Sequence, residues 1–287
     1  MKQDGFSRYH PLVNFLFFVA AIGSVVVIQH PWYLLLSTLA GACYYGMLKG
    51  KKGLSLLAGM IPPAMLITLS NPLFNTYGQH ILFHVFHRPY TAEALLYGAV
   101  LAGIFVDMMI WFGCYHQVLT SDKFTSLFGG LIPSLSLLLV MILRMIPGFI
   151  RKAKQIAGAR KCIGKGAAGT WREKIRDGVT ILSVMTDWVL EGSITTADSM
   201  RSRGYGSGKR SSYRKYRLTG RDVLMLAALG ILIMGTILGG STEASFTPEI
   251  FISPLSWGYV FYGILMFLPA GIEGKEALQW RLLQSKI

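Results

Sequence analysis

Two arginines end long helical stretches of this sequence. Arg160 follows Ala159, and Arg203 follows Ser202 and precedes Gly204. A guanidinium in the last turn of a helix has two uses. It complements the macrodipole, worth about 0.3–1 kcal/mol, or its planar fork pairs bidentately with a carboxylate. The first use accounts for one such arginine. Two in parallel, each preceded by a small residue that lets the helix tip enter a groove, predict a pair of prongs for an acidic cleft on another protein.

Other residues invite different chemistry. The run Gly204-Tyr205-Gly206-Ser207-Gly208-Lys209-Arg210-Ser211 has the look of a phosphate loop. That motif needs four residues between its first glycine and Gly-Lys, then Ser or Thr after the lysine. Gly204 leaves three, Arg210 follows the lysine, and no apolar strand precedes. The chain is therefore not expected to be its own ATPase. His80, His84 and His87 have helical spacing that would gather imidazoles for zinc. They lie in a segment, Ile81 to His87, whose apolar alternation also permits a strand, and no acidic or cysteine ligand is close, so surface histidines are expected and no metal or cofactor is predicted. Asp107 sits mid-way along the apolar stretch 94–115, where an isolated charge costs at least about 2.5 kcal/mol. It reads as an ion or proton relay, or as a buried carboxyl bonded to another helix with Arg144 as one candidate partner. Cys43, Cys114 and Cys162 are scattered and odd in number, so they give neither a disulfide framework nor a metal motif.

The elements that must position these residues follow from composition. Of 287 residues 52% are hydrophobic and 15% charged, with mean hydropathy +0.46. Soluble domains carry about 25% charged residues, so this is the composition of a multi-spanning membrane protein. Apolar stretches near the length of about 20 residues that crosses a bilayer run over residues 12–28, 32–48, 54–70, 94–115, 124–147, 222–242 and 257–272. Pro62-Pro63 should kink or break the third. The opening residues lack a signal-peptide cleavage pattern, so the first stretch is expected to remain as a span.

Charge sets orientation. The chain carries 28 Lys+Arg against 14 Asp+Glu, and Gly148 to Arg221 holds 17 basic and 5 acidic residues, twelve of the fourteen net positive charges. Positive segments stay cytoplasmic. Lys2 and Arg8 place the N-terminus inside, Lys49, Lys51 and Lys52 place the second loop inside, 71–93 falls outside and 116–123 returns inside. If 124–147 also crossed, the basic block would lie outside. That stretch contains Arg144, Pro133 and Pro147, and reads as an apolar helix along the cytoplasmic surface. The result is an all-α integral membrane protein of six spans with both termini cytoplasmic, in a plasma membrane; seven spans with an outside N-terminus is the alternative. Three regions follow: N-terminal spans 1–115, a cytoplasmic region 116–221 with two Arg-tipped helices, and C-terminal spans 222–287. The first of those helices is predicted to end just past Arg160, before Gly164 and Gly166. The second should run from about Thr170 to Arg203 and stop at Gly204, a residue suited to left-handed backbone.

The stretch Ala197-Asp198-Ser199-Met200-Arg201-Ser202-Arg203-Gly204-Tyr205-Gly206 resembles the second signature of the transmembrane T component of energy-coupling factor (ECF) transporters, approximately Ser-Met-x-Ala-Arg-Gly-Phe/Tyr-Gly. Gln155 to Lys161 is loosely similar to the first, Ala-Gln-x-Ala-Arg-Gly. His10-Pro11, the turn Asn71-Pro72-Leu73-Phe74-Asn75 and Leu143 to Pro147 are similar too, in family order across nearly the whole chain. Lys161 stands where the family has glycine and Ser202 where it has alanine; both arginines are kept. The resemblance implies a non-catalytic subunit that docks two ABC-type ATPases through Ala159, Arg160, Ser202, Arg203 and Gly204. It also implies coupling-helix contact, here at Met141 and Met145, with a small membrane-embedded S component that takes up a vitamin or a transition-metal ion such as cobalt or nickel. Its partners would be those subunits and the lipid bilayer, with no nucleic acid and no cofactor. A membrane-embedded enzyme and a stand-alone secondary transporter are the rival classes. The first lacks clustered cytoplasmic acids for metal or acid–base chemistry, and the second rests on Asp107.

Overall fold

The computed structural model describes residues 5–75, 80–85, 88–129, 133–164, 170–208, 216–240, 244–245 and 251–284. The chain divides into two compact units, Met1–Phe124 with Tyr216–Ile287, and Thr125–Lys215.

The first unit is built from apolar helices whose starts are set by proline and capping residues. A 3-10 turn, Phe6–Arg8, precedes α1 (Pro11–Val27) and α2 (Pro31–Lys49), each with proline in its first turn, where the missing N–H is harmless. His10 caps α1 by accepting the Leu12 N–H at Nδ1, 3.2 Å away. The third apolar stretch is two helices, α3 (Lys51–Gly59) and α4 (Ile61–Phe74), with Pro62 and Pro63 opening α4. The break falls at Met60, because Pro62 and Pro63 have no N–H to give the carbonyls of Ala58 and Gly59 four residues back. Residues 71–75, read as a turn in the sequence, are the end of α4: the helix runs through Pro72 to Phe74, and Asn75 caps it. A hairpin of β1 (Ile81–Val85) and β2 (Arg88–Thr91) then leads into α5 (Ala92–Val118).

α6 (Ser121–Gly129) ends this part of the chain. After the second unit come α9 (Gly220–Leu238), the short pair β3 (Ala244–Ser245) and β4 (Phe251–Ile252), and α10 (Trp257–Gln284). The core is aromatic: Phe6, Phe17, Phe18, Tyr44 and Trp111 are buried, with Phe6 and Phe17 edge-to-face at 5.2 Å and Phe17 and Trp111 at 5.8 Å. α4 and α5 meet at Gly98, where an added Cβ would lie 2.8 Å from the Thr68 carbonyl oxygen.

Polar bonds tie one end of this unit together. The Gly5 N–H donates to Glu273 (2.9 Å), Arg8 pairs with Glu276 (3.2 Å), and the His10 N–H donates to Asp222 (2.9 Å). The buried Lys123 ammonium donates to the Ser7 hydroxyl (2.7 Å) and the Val118 carbonyl (3.0 Å). At the other end, His30 donates to the Ser253 carbonyl (3.1 Å) and Asn71 to the Ala94 carbonyl (2.7 Å).

The molecule is mostly helical, and three of its described stretches are long and apolar enough to cross a membrane: Leu57–Phe74, Ala92–Val118 and Gly220–Leu238; α1 is a shorter apolar helix. Leu66 and Leu69 on α4, and Leu224 and Ile231 on α9, are exposed, the surface a helix offers to lipid.

The second unit holds α7 (Pro133–Cys162) and α8 (Trp171–Ser202). The apolar stretch 124–147 is thus divided between α6 and α7, rather than forming one helix, with Pro133 at the start of α7. α7 carries Pro147 in its interior and continues 15 residues beyond it, to Cys162. Thr170 and Glu173 form a reciprocal capping box at the start of α8, which supplies two of the helix's unmet donors with partners.

Candidate functional site

α7 and α8 run antiparallel in register. Phe149 meets Trp188 edge-to-face at 6.0 Å, Lys152 lies 5.5 Å from the centre of the Trp188 ring, and Arg160 is ion-paired with Asp177. From Phe149 to Arg160 along α7 the partners run back from Trp188 to Asp177 along α8, which fixes where the two arginine tips lie. Arg160 is at the turn end of the hairpin and Arg203 at the opposite end of α8. From Asp177 to Arg203 is 26 residues of continuous α8 and its cap, about 39 Å at 1.5 Å per residue.

The two tips differ in construction. At the second, the helix closes in a Schellman arrangement: the Tyr205 N–H donates to the Met200 carbonyl and the Gly204 N–H to the Arg201 carbonyl, each 3.0 Å, while Gly204 takes φ +78°. That left-handed backbone is cheap only for glycine. Arg203 is the cap residue and is exposed. Ser202, in the family's alanine position, folds its hydroxyl back onto the Ser199 carbonyl at 3.0 Å, so it presents little more than a methylene outward.

At the first tip, Lys161 takes no left-handed turn and the helix runs on to Cys162; Gly164 supplies the positive φ, +74°. Arg160 therefore sits inside the last turn instead of at the cap. Its side chain is 18% exposed and that of Asp177 20%. Asp177 is the residue that sequence reading missed. The signal was present in the antiparallel register, once the two helix ends had been placed.

Arg203 also lines a groove of about 670 Å³ between α7 and α8, with Arg144, Met141, Glu191 and Met200 on its walls. Met141 is half-buried there, and Met145 is exposed. α8 contains no buried residue among those described, although Ile175, Val179, Leu182, Leu190 and Ile194 are large and apolar. Two helices that leave such a surface uncovered have the anatomy of a contact element.

The remaining candidates are placed as follows. His84 lies on β1 opposite Pro89, not on a helix, and His80 precedes the strand, its N–H donating to Glu93 at 3.1 Å. His87 lies outside the described residues, and among those described no group of three metal-ligating side chains forms. The loop Lys209 to Ser211 also lies outside them. Asp107 is fully buried in the first unit, facing the hydroxyls of Ser37 and Thr38 on α2, whereas Arg144 belongs to the groove of the second.

Neither models of known protein families nor curated proteins match this chain.

Proposed function

We propose that this chain is the transmembrane coupling subunit of an ECF-type ABC transporter. It docks two ABC-type ATPases through its cytoplasmic hairpin and transmits their motion to a small membrane-embedded S component that binds the micronutrient. The observation that carries this reading is the separation of the two arginine tips, about 39 Å along α8. A globular body of about 250 residues has a radius of gyration of about 18 Å, so two such bodies side by side have centres about 45 Å apart. One hairpin can thus hold one arginine against each. Ala159, Ser202 and Gly204 keep the tips slender, and ATP hydrolysis belongs to the partners.

Six crossings with both termini cytoplasmic complete the proposal. The N-terminal residues 5–10, the end of α5, the start of α9 and the tail of α10 are bonded together at one end of the first unit. The junctions before α2, α5 and α10 lie at the other end. α1, α2, α3 with α4, α5, α9 and α10 then give six passes between them. The basic block leaves from and returns to the end that carries residues 5–10 and the tail of α10, as the positive-inside rule requires in a plasma membrane. Met141 and Met145, flexible and polarisable, are the side chains assigned to the S component.

The test is a mild-detergent pull-down of the tagged chain from its native membrane, followed by mass spectrometry. Two ABC-type ATPases with one or more small hydrophobic proteins are expected, and the small protein would point to vitamin or transition-metal uptake. Recovery of the chain alone, even with an ATP analogue added, overturns the assignment.

A further inference from the structure

The buried Asp107 has no place in the docking scheme, and its surroundings are unusual. Both its carboxylate oxygens are buried, and among the described residues neither is held by a hydrogen bond of ordinary geometry. The described ion pairs are Arg8–Glu276 and Arg160–Asp177, so no described basic side chain neutralises it.

The groups that face it offer oxygen atoms. Thr38 and Ser37 turn their hydroxyls to the carboxylate. The Thr38 hydroxyl gives its proton to the Leu34 carbonyl at 2.8 Å, leaving lone pairs toward Asp107. Ser37 Oγ accepts the Trp111 indole N–H at 3.0 Å. Tyr262 of α10, fully buried, bonds to Ser37 and interacts electrostatically with Asp107. The nearby ionisable groups are phenols: Tyr262, and Tyr33 of α2, whose ring lies 5.2 Å from it. α1 and α4 contain no ionisable residue.

An anion in an apolar interior, with neutral hydroxyls about it and no basic partner among the described residues, calls for one positive charge. We propose that Asp107, with the hydroxyls of Ser37, Thr38 and Tyr262, forms a binding site for a single small monovalent cation, a proton or a sodium ion. The all-oxygen set is that of a hard cation. One carboxylate balances one charge, which disfavours a divalent ion in a dry site. A proton would sit on Asp107 and be donated to the Thr38 lone pair; sodium would be held between the carboxylate and the hydroxyl oxygens. In either form the cation joins α5 to α2 and α10, so its occupancy governs how firmly the first unit is held. The inference stands apart from the arginine tips.

The test uses the full chain in nanodiscs. Thermal unfolding is followed while sodium replaces choline at constant ionic strength, and again as pH is raised without sodium, for the wild type and Asp107→Asn. A sodium site raises the wild-type midpoint by several degrees as sodium is added. A proton site shows no sodium response, but loses stability as pH rises and gives an infrared band of a protonated carboxyl. Each response should vanish in Asp107→Asn. Thr38→Val, which removes one oxygen and keeps the shape, should weaken the response about tenfold in cation concentration, and it decides the matter if Asp107→Asn fails to fold. Wild type and variants that superimpose in both titrations, with no carboxyl band, overturn the proposal.

Discussion

Reversing Arg160 and reversing Arg203 should have different physical consequences, which allows docking to be separated from folding. Arg160 is paired with Asp177 in a partly buried setting. Arg160→Glu removes that attraction and sets two carboxylates against each other. An exposed pair is worth up to about 1 kcal/mol, and unit charges 4 Å apart near a surface interact by about 4 kcal/mol before screening. With both side chains about one-fifth exposed, a discounted cost is about 2 kcal/mol, a factor of about 30 in local opening. Amide exchange near Arg160 and Asp177 should quicken by that factor. Arg203 is exposed and makes no ion pair among the described residues, so Arg203→Glu should only fray the last turn of α8, at about 0.5 kcal/mol. Both reversals should abolish ATPase docking, since losing one partner of an interfacial charge pair costs about 2–5 kcal/mol. The decisive variant is the swap Arg160→Glu with Asp177→Arg. It rebuilds the pair with opposite polarity, so exchange should return to near the wild-type rate while docking stays lost. Docking by the swap at wild-type affinity, measured with purified ATPases in nanodiscs, would refute the prong reasoning, because Arg160 would then serve only the hairpin. Unchanged exchange in Arg160→Glu would refute the pairing.

Gly204→Ala forces a side chain into φ +78° and should cost about 1 kcal/mol, read as loosened exchange at Tyr205 and weaker docking at that tip alone. Gly98→Leu places its Cβ against the Thr68 carbonyl, 2.8 Å away, and should shift the chain to aggregates on detergent gel filtration; an unchanged monodisperse peak would contradict the close packing of α4 on α5. Asp222→Ala frees the N–H groups of His10 and Thr219, which its carboxylate now accepts at 2.9 Å each. It should destabilise the first unit by about 1–2 kcal/mol, seen as a lower thermal midpoint.

The helices were largely legible in the sequence because bilayer-length apolar runs, prolines and glycines are local signals. α1 and α2 start at Pro11 and Pro31, one residue ahead of the apolar stretches 12–28 and 32–48, and α8 is bounded by Thr170 and Gly204, as patterning predicts for it. Legibility failed where an outcome depends on what lies opposite. The spacing of His80, His84 and His87 and the apolar alternation of the same segment left helix and strand both open, and pairing with β2 makes residues 81–85 a strand, where the period is two. Lys161 in place of glycine left the first tip unresolved. The structure settles it through the next residue able to take a positive φ, Gly164. The partners of Asp107 come from α2 and α10, more than 60 residues away on either side, and nothing along the chain identifies Ser37 or Tyr262 as its neighbours.

The polar bonds at one end of the first unit explain how so few charges organise a mostly apolar body. Glu273, Glu276 and Asp222 each accept a bond from residues 5–10, and Lys123 reaches Ser7 from the end of α5. In an apolar solvent the helices gain little from burying hydrocarbon against one another, because lipid solvates it equally well. Directional bonds must then fix which helix ends meet. Here the first residues of the chain bind the tail of α10 and the start of α9, so the N-terminal strap closes the bundle. The segment that leaves between Lys123 and Asp222 carries the basic hairpin. A motion imposed on that hairpin would reach the bundle through the segments of chain flanking those two residues, and both are anchored by the same strap, residues 5–10. Loss of the strap contacts should therefore impair transmission even where both arginine tips dock normally. That separates coupling from binding, and it can be read as ATP hydrolysis that persists without uptake in the Asp222→Ala chain.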